Sequence, residues 1–115
     1  MSLSIWLHLE VDGGGPKTLG MTVHECNITH NLGKMANEAG IYQVLWRPEE
    51  CGVKVAGDMI EALEKGLEDM KVRPAHYRQF DAKNGWGTYD DFIPFLDELL
   101  TACKRAPKAE ISISR

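Results

Sequence analysis

A short polar segment, residues 27–31, is the first place in this chain where side chains could do chemistry. It carries the amides of Asn27 and Asn31, the hydroxyl of Thr29 and the imidazole of His30. An alternating stretch precedes it and a helical pattern follows, so we expect it to join a strand to a helix. Free backbone N–H groups and the dipole at such a junction favour a bound phosphate or carboxylate. The same residues also suit an N-cap, with Thr29 or Asn31 satisfying the helix start and His30 merely exposed.

A second set of reactive side chains falls on the two strands of a predicted N-terminal β-hairpin. If the hairpin pairs about a midpoint near Pro16, His8 lies opposite His24. Together with Cys26 and His30 they offer the imidazole and thiolate ligands that zinc binds tetrahedrally. Alternatively, Cys26 beside a histidine is a candidate nucleophile, and a polar sheet face explains the same residues without any chemistry. A register change of one residue would separate the pair.

A tryptophan between two glycines is the third candidate, in the sequence N-G-W-G-T-Y at residues 84–89. The glycines allow a tight turn that projects the ring of Trp86 just before a helix that Thr88 could cap. If Trp86 is buried it anchors the turn to the core, which its large area favours. If it is exposed it stacks on a planar ligand or marks a partner surface. Tyr89 offers a second stacking wall.

The hydrophobic pattern indicates which elements position these residues. Residues 4–11 and 19–26 alternate as two strands, joined by a loop with three glycines and a proline at residues 13–16. Residues 110–114 alternate as a third strand beside the hairpin. Helical spacing covers residues 32–39, where Gly40 could supply the left-handed stop.

Further helices are predicted over residues 56–72 and from Thr88 onward, with a short turn over residues 74–80, whereas residues 41–46 fit strand and helix equally. We therefore predict a single α+β domain over residues 1–115. In it, an N-terminal β-hairpin and a C-terminal strand form a small three-stranded sheet packed by three to four helices.

Composition excludes several classes of protein. A chain of 115 residues with 43% hydrophobic and 26% charged residues has the length and composition of a single globular domain. Its net charge of −4 makes nucleic acid a poor partner, because phosphate backbones are bound by clusters of Lys and Arg. Three cysteines without C-x-x-C spacing favour reduced thiols and a cytoplasmic location. No apolar stretch is long enough to span a membrane.

The chain resembles a group of small uncharacterised proteins encoded by phages, prophages and bacteria. The resemblance is carried by N-x-T-H-N-L from residue 27, N-G-W-G-x-Y from residue 84 and L-L-x-A-C from residue 99. It implies a small cytoplasmic protein, an accessory of phage or mobile-element type, without an assigned reaction. It transfers no catalytic residue.

We predict that the protein binds a small polar or anionic ligand or a protein partner, without a cofactor or metal. The ligand would occupy a cleft at the sheet edge. Its predicted ligand-binding residues are Asn27, Thr29, His30, Asn31, Trp86 and Tyr89. A homodimer is left open. The alternative is a metal- or thiol-dependent hydrolase that uses His8, His24, Cys26 and His30.

Overall fold

A computed structural model describes residues 2–12 and 18–115 of the chain. Within these ranges, three strands form one antiparallel sheet: β1 is Ser2–Asp12, β2 is Thr18–Thr29 and β3 is Glu110–Ser114. The strand order is β2-β1-β3, so the C-terminal strand lies beside β1 as predicted. The predicted glycine loop at residues 13–16 lies outside the described residues.

Five α-helices cover the described part of the chain between β2 and β3. They are α1 (Gly33–Glu38), α2 (Tyr42–Trp46), α3 (Ile60–Val72), α4 (Pro74–Arg78) and α5 (Tyr89–Arg105). Short 3₁₀ turns lie at His30–Leu32, Pro48–Glu50 and Ala56–Met59. The α+β fold is thereby confirmed. The described residues form five α-helices rather than the predicted three to four, because the stretch whose pattern fitted strand and helix equally forms α2.

The helix ends follow the predicted local chemistry. Thr88 is the N-cap of α5, and its hydroxyl accepts a hydrogen bond of 3.3 Å from the Asp91 N–H. Gly40 has a φ of 76°, the left-handed conformation expected after the end of α1. Helix α5 runs without interruption across Pro94, although a proline past the first turn predicts a kink or restart.

The core lies between one face of the sheet and the helices. Alternate residues of β1, Leu3, Ile5 and Leu7, are fully buried. They face the apolar side of α5, which packs across β2 and along α3, with Phe92 and Leu99 fully buried. Strand β1 begins at Ser2 rather than at residue 4 as predicted, because Leu3 continues the buried alternation.

The pairing of β1 with β2 differs from the predicted register. Leu7 lies opposite His24, whereas His8 lies opposite Thr22, so that Val23 is an extra residue on β2. This β-bulge changes the register between Leu7 and His8. The predicted pairing of His8 with His24 is therefore wrong.

Candidate functional site

The polar segment at residues 27–31 and the loop that carries Trp86 line one cleft beside the end of β2. The cleft has a volume of about 1140 Å³ and is open to solvent along its length. That volume lies slightly above the usual range for small-molecule sites, roughly 300–1,000 Å³. The structure thus brings together Asn27, Thr29, His30, Asn31 and Trp86, five of the six predicted ligand-binding residues.

Hydrogen bonds hold the tryptophan loop against this segment. The side-chain amide of Asn31 donates a bond of 2.7 Å to the carbonyl oxygen of Trp86. The Trp86 N–H donates to the Asn84 side-chain oxygen at 3.0 Å, and the Ala82 N–H closes the loop on the carbonyl of Gly87 at 2.9 Å. The loop backbone is therefore fixed at both ends.

Gly87 lets the two walls of the cleft approach closely. Its φ of 113° lies in a region that residues with a Cβ rarely adopt. A Cβ at this position would lie 2.9 Å from Cγ2 of Thr29 and 3.0 Å from Cβ of Asn31. Only glycine fits here without a shift of one of these neighbours.

Thr29 and Asn27 are partly engaged within the protein. The Thr29 hydroxyl accepts a bond of 3.2 Å from the Asn31 N–H, which confirms Thr29 as an N-cap. The Asn27 side-chain N–H₂ donates to the hydroxyls of Ser2 at 3.0 Å and Ser4 at 2.7 Å. Within the described ranges, the side-chain oxygen of Asn27 accepts no protein hydrogen bond and is available to a ligand.

His30 is held in one orientation by a neighbouring tryptophan. The Trp46 indole N–H donates a bond of 2.7 Å to Nδ1 of His30. Nδ1 must therefore be unprotonated, and the neutral ring carries its hydrogen on Nε2 as a donor. Tyr42 stacks on Trp46 with 5.3 Å between ring centroids, which stabilises the indole. The interpretation of His30 as a merely exposed side chain is wrong, because it is half-buried and bonded.

Trp86 and Tyr89 occupy opposite environments. Trp86 is 72% exposed, so the interpretation that its burial anchors the turn is wrong. Its ring is free for stacking. Tyr89 is only 8% exposed, and its hydroxyl donates 2.9 Å to the carbonyl of Met70. The guanidinium of Arg78 covers its ring at 4.6 Å. Tyr89 is a core residue and does not line the cleft.

Protein side chains bond two of the free N–H groups at the N-terminus of α5. The Tyr89 N–H donates a hydrogen bond of 2.7 Å to the Asp81 carboxylate, and the Asp91 N–H is capped by the hydroxyl of Thr88. Asp91 itself lines the cleft. The sequence alone does not mark Asp91 as a cleft residue, because the helix dipole already explains an acid in the first turn of a helix.

The residues of the hydrolase alternative do not converge. His8 lies on the solvent-facing side of the sheet, with Nδ1 at 3.2 Å from the Thr22 hydroxyl. His24 and Cys26 lie on the other face of the sheet, the one that packs on the core. They pair there with the buried Leu7 and Ile5, respectively. In the part of the chain that the structure describes, no group of three His, Cys, Asp or Glu residues could hold a metal ion.

The surroundings of Cys26 suppress its thiolate. Burial, followed by the nearby Cys103, Glu98 and Glu25, raises the pKa of the Cys26 thiol to about 12. A protonated thiol is a poor nucleophile, because the thiolate is the reactive form. Nε2 of His24 is buried and has no hydrogen-bond partner among the described residues. This pair therefore lacks the contact that activates a catalytic cysteine.

No protein-family model, curated protein sequence or solved structure matches this chain. Within the described ranges, no helix has the length and apolar character needed to cross a membrane.

Proposed function

We propose that the protein binds a small polar ligand in the cleft between residues 27–31 and the Trp86 loop. The observation that carries this proposal is the exposure of Trp86, at 72%, on a loop whose backbone is fixed by hydrogen bonds. A large apolar ring held in solvent beside polar side chains is typical of a recognition surface, since burial would otherwise stabilise it.

Specificity would come from the polar groups around this ring. The Asn27 side-chain oxygen is an acceptor, the Nε2–H of His30 is a donor, and the Asp91 carboxylate is a second acceptor. We therefore assign neutral hydroxyl and amine groups of the ligand to this part of the cleft. An anion is disfavoured here, because Asp91 carries a negative charge and the α5 N-terminus is already capped.

The test is a screen of small polar compounds against the wild-type protein, Trp86→Ala and Val72→Ala. Val72 is the matched control, because it is also a 72% exposed apolar side chain but lies at the end of α3. A ligand that binds only the native state raises the melting temperature. We expect a hit to raise it for wild type and Val72→Ala but not for Trp86→Ala. Hits that stabilise all three proteins equally would contradict this location.

A cytoplasmic location and an accessory role of phage or mobile-element type are part of the same proposal. The location is supported by the three unpaired cysteines, Cys26, Cys51 and Cys103. The role rests on the sequence resemblance alone.

A protein partner or second copy on the Trp86 loop would be an alternative occupant of the site. Sedimentation of wild type and Trp86→Ala distinguishes it, because only such an occupant changes the molecular mass of the complex.

A further inference from the structure

A second cavity adjoins the proposed ligand cleft and has a different charge. It has a volume of about 740 Å³ and shares His30, Asn31 and Asn84 with the first cavity as lining residues. Beyond this shared wall it is lined by two lysines, Lys34 from α1 and Lys83 from the tryptophan loop. A ligand lying across the wall would contact a stacking ring on one side and ammonium groups on the other.

The two lysines are free to bind an anion. Both are exposed, and neither has a carboxylate within 4 Å in the described part of the chain. By contrast, Lys65, Lys71 and Lys104 each pair with an acidic side chain. These two unpaired positive charges lie together in a chain whose net charge is −4.

The acid in this second cavity does not neutralise the lysines by contact. Asp81 lines it, but its carboxylate accepts a hydrogen bond of 2.7 Å from the Tyr89 N–H and so serves the N-terminus of α5. His30 stands between the two cavities and presents its Nε2–H, which could donate to a ligand oxygen. The cavity therefore combines two ammonium groups and a neutral donor with one carboxylate that is bonded to the N-terminus of α5.

The tryptophan loop carries both the stacking ring and one of the two ammonium groups. Lys83 and Trp86 belong to one loop whose ends are joined by the bond between Ala82 and Gly87. Three residues of extended chain span at most about 11 Å, so their Cα atoms are no farther apart than this. The loop thus presents the ring and one ammonium group on the two cavities that share a wall.

We propose that the ligand is a nucleoside monophosphate, with its base on the indole of Trp86 and its phosphate between Lys34 and Lys83. This inference rests on the proposed function and adds the class of ligand. A base stacks on an aromatic face regardless of its identity. Lysine binds phosphate as a mobile point charge, which suits exposed side chains on two different elements.

The experiment compares four probes by titration: adenosine 5′-monophosphate, adenosine, ribose 5-phosphate and inorganic phosphate. Binding is followed by NMR through the indole N–H of Trp86 and the backbone amides of residues 27–34 and 82–87. We expect adenosine monophosphate to bind about tenfold more tightly than adenosine or ribose 5-phosphate, since each exposed charge contact contributes modestly. Its affinity should fall with added salt, whereas that of adenosine should not.

The double variant Lys34→Ala, Lys83→Ala should bind adenosine monophosphate about tenfold more weakly, and adenosine unchanged. Lys108→Ala is the matched control, because Lys108 is exposed but lines neither cavity. Equal affinity for adenosine and its monophosphate would overturn the phosphate site and leave the proposed function standing. Equal affinity for ribose 5-phosphate would overturn recognition of the base. If no probe shifts the Trp86 signal, the nucleotide class is wrong, and the screen described above decides the proposed function separately.

Discussion

The side chain of Asn31 and the backbone carbonyl of Trp86 are joined by a hydrogen bond although they lie 55 residues apart in the chain. One follows β2 and the other precedes α5, so the bond connects the two elements that form the walls of the cleft. Because Asn31 is also the residue whose N–H is capped by Thr29, a single local turn sets the position of both walls.

Asn31→Ala removes the donor of this bond. We expect the free energy of unfolding to fall by about 0.5–1.5 kcal/mol, the usual net value for one hydrogen bond. Hydrogen exchange in residues 84–87 should accelerate as well. Asn37→Ala is the control, since Asn37 is an exposed amide of α1 and alanine favours helix there. Equal loss of stability in the two variants would show that the bond contributes nothing specific.

Gly87→Ala tests the close approach between the loop and Thr29. The new Cβ would meet Thr29 and Asn31 at 2.9 and 3.0 Å with φ at 113°. We expect a loss of about 1–3 kcal/mol from the strained backbone, with steric overlap adding to it. Gly85→Ala provides the comparison, because its φ is 78° and no atom lies within 4 Å of a new Cβ.

The midpoint of urea denaturation measures both glycine variants. Gly85→Ala should lower the free energy of unfolding only by the cost of placing a residue with a Cβ in the left-handed conformation, about 1–2 kcal/mol. The difference between the variants reports the contact with the cleft wall. A Gly87→Ala protein as stable as Gly85→Ala would mean that the two walls separate easily.

Acid should destabilise the protein through Asp69. Its carboxylate accepts hydrogen bonds from Arg73 and Tyr77, and these lower its pKa from 3.8 to about 2. A group whose pKa is lower in the folded state stabilises the fold above its unfolded pKa, and this contribution disappears as the pH falls towards 2. Asp69→Asn should therefore flatten the decline of the melting temperature between pH 4 and pH 2.

The variant Tyr77→Phe tests how the same cluster affects stability at alkaline pH. Burial and the bond to Asp69 raise the pKa of Tyr77 to about 12. A raised pKa means that stability is complete below the unfolded value of about 10 and is lost as the pH rises towards 12. Tyr77→Phe should flatten this loss. An unchanged slope in both variants would contradict the role of the cluster.

The three thiols should differ sharply in reactivity. Burial raises the pKa of Cys103 to about 11 and that of Cys26 to about 12, whereas Cys51 is exposed. At pH 8, iodoacetamide should modify only Cys51 in the native protein and all three thiols in urea. Mass spectrometry counts the additions. Rapid triple labelling without urea would mean that β2 separates readily from α5.

The sequence predicts much of the fold because its local signals agree. Alternation in β1 and β3 and capping by Thr88 each appear in the structure. The register of the hairpin differs from the prediction on both sides of the bulge at Val23, because alternation alone does not specify which residues of two strands pair. The predicted pairing of His8 with His24 fails with or without the bulge, because His8 already lies opposite Thr22 on the loop side of it.

The cleft is predictable in part. Polar residues at 27–31 mark one wall, and the glycines around Trp86 mark the other, but only tertiary packing decides that Trp86 is exposed and Tyr89 buried. Their aromatic character is the same, so side-chain type cannot separate them. Lys34 and Asp91 were missed for a related reason, since each is an ordinary charged helix residue until its neighbours are known.

The strand order β2-β1-β3 leaves the 12-residue β2 at one border of the sheet. An uninterrupted border of that length would offer a template on which other chains could add strands and aggregate. The bulge at Val23 divides it into two shorter stretches of different alignment. The same bulge thus makes this border a poorer template for strand addition by a second copy of the chain.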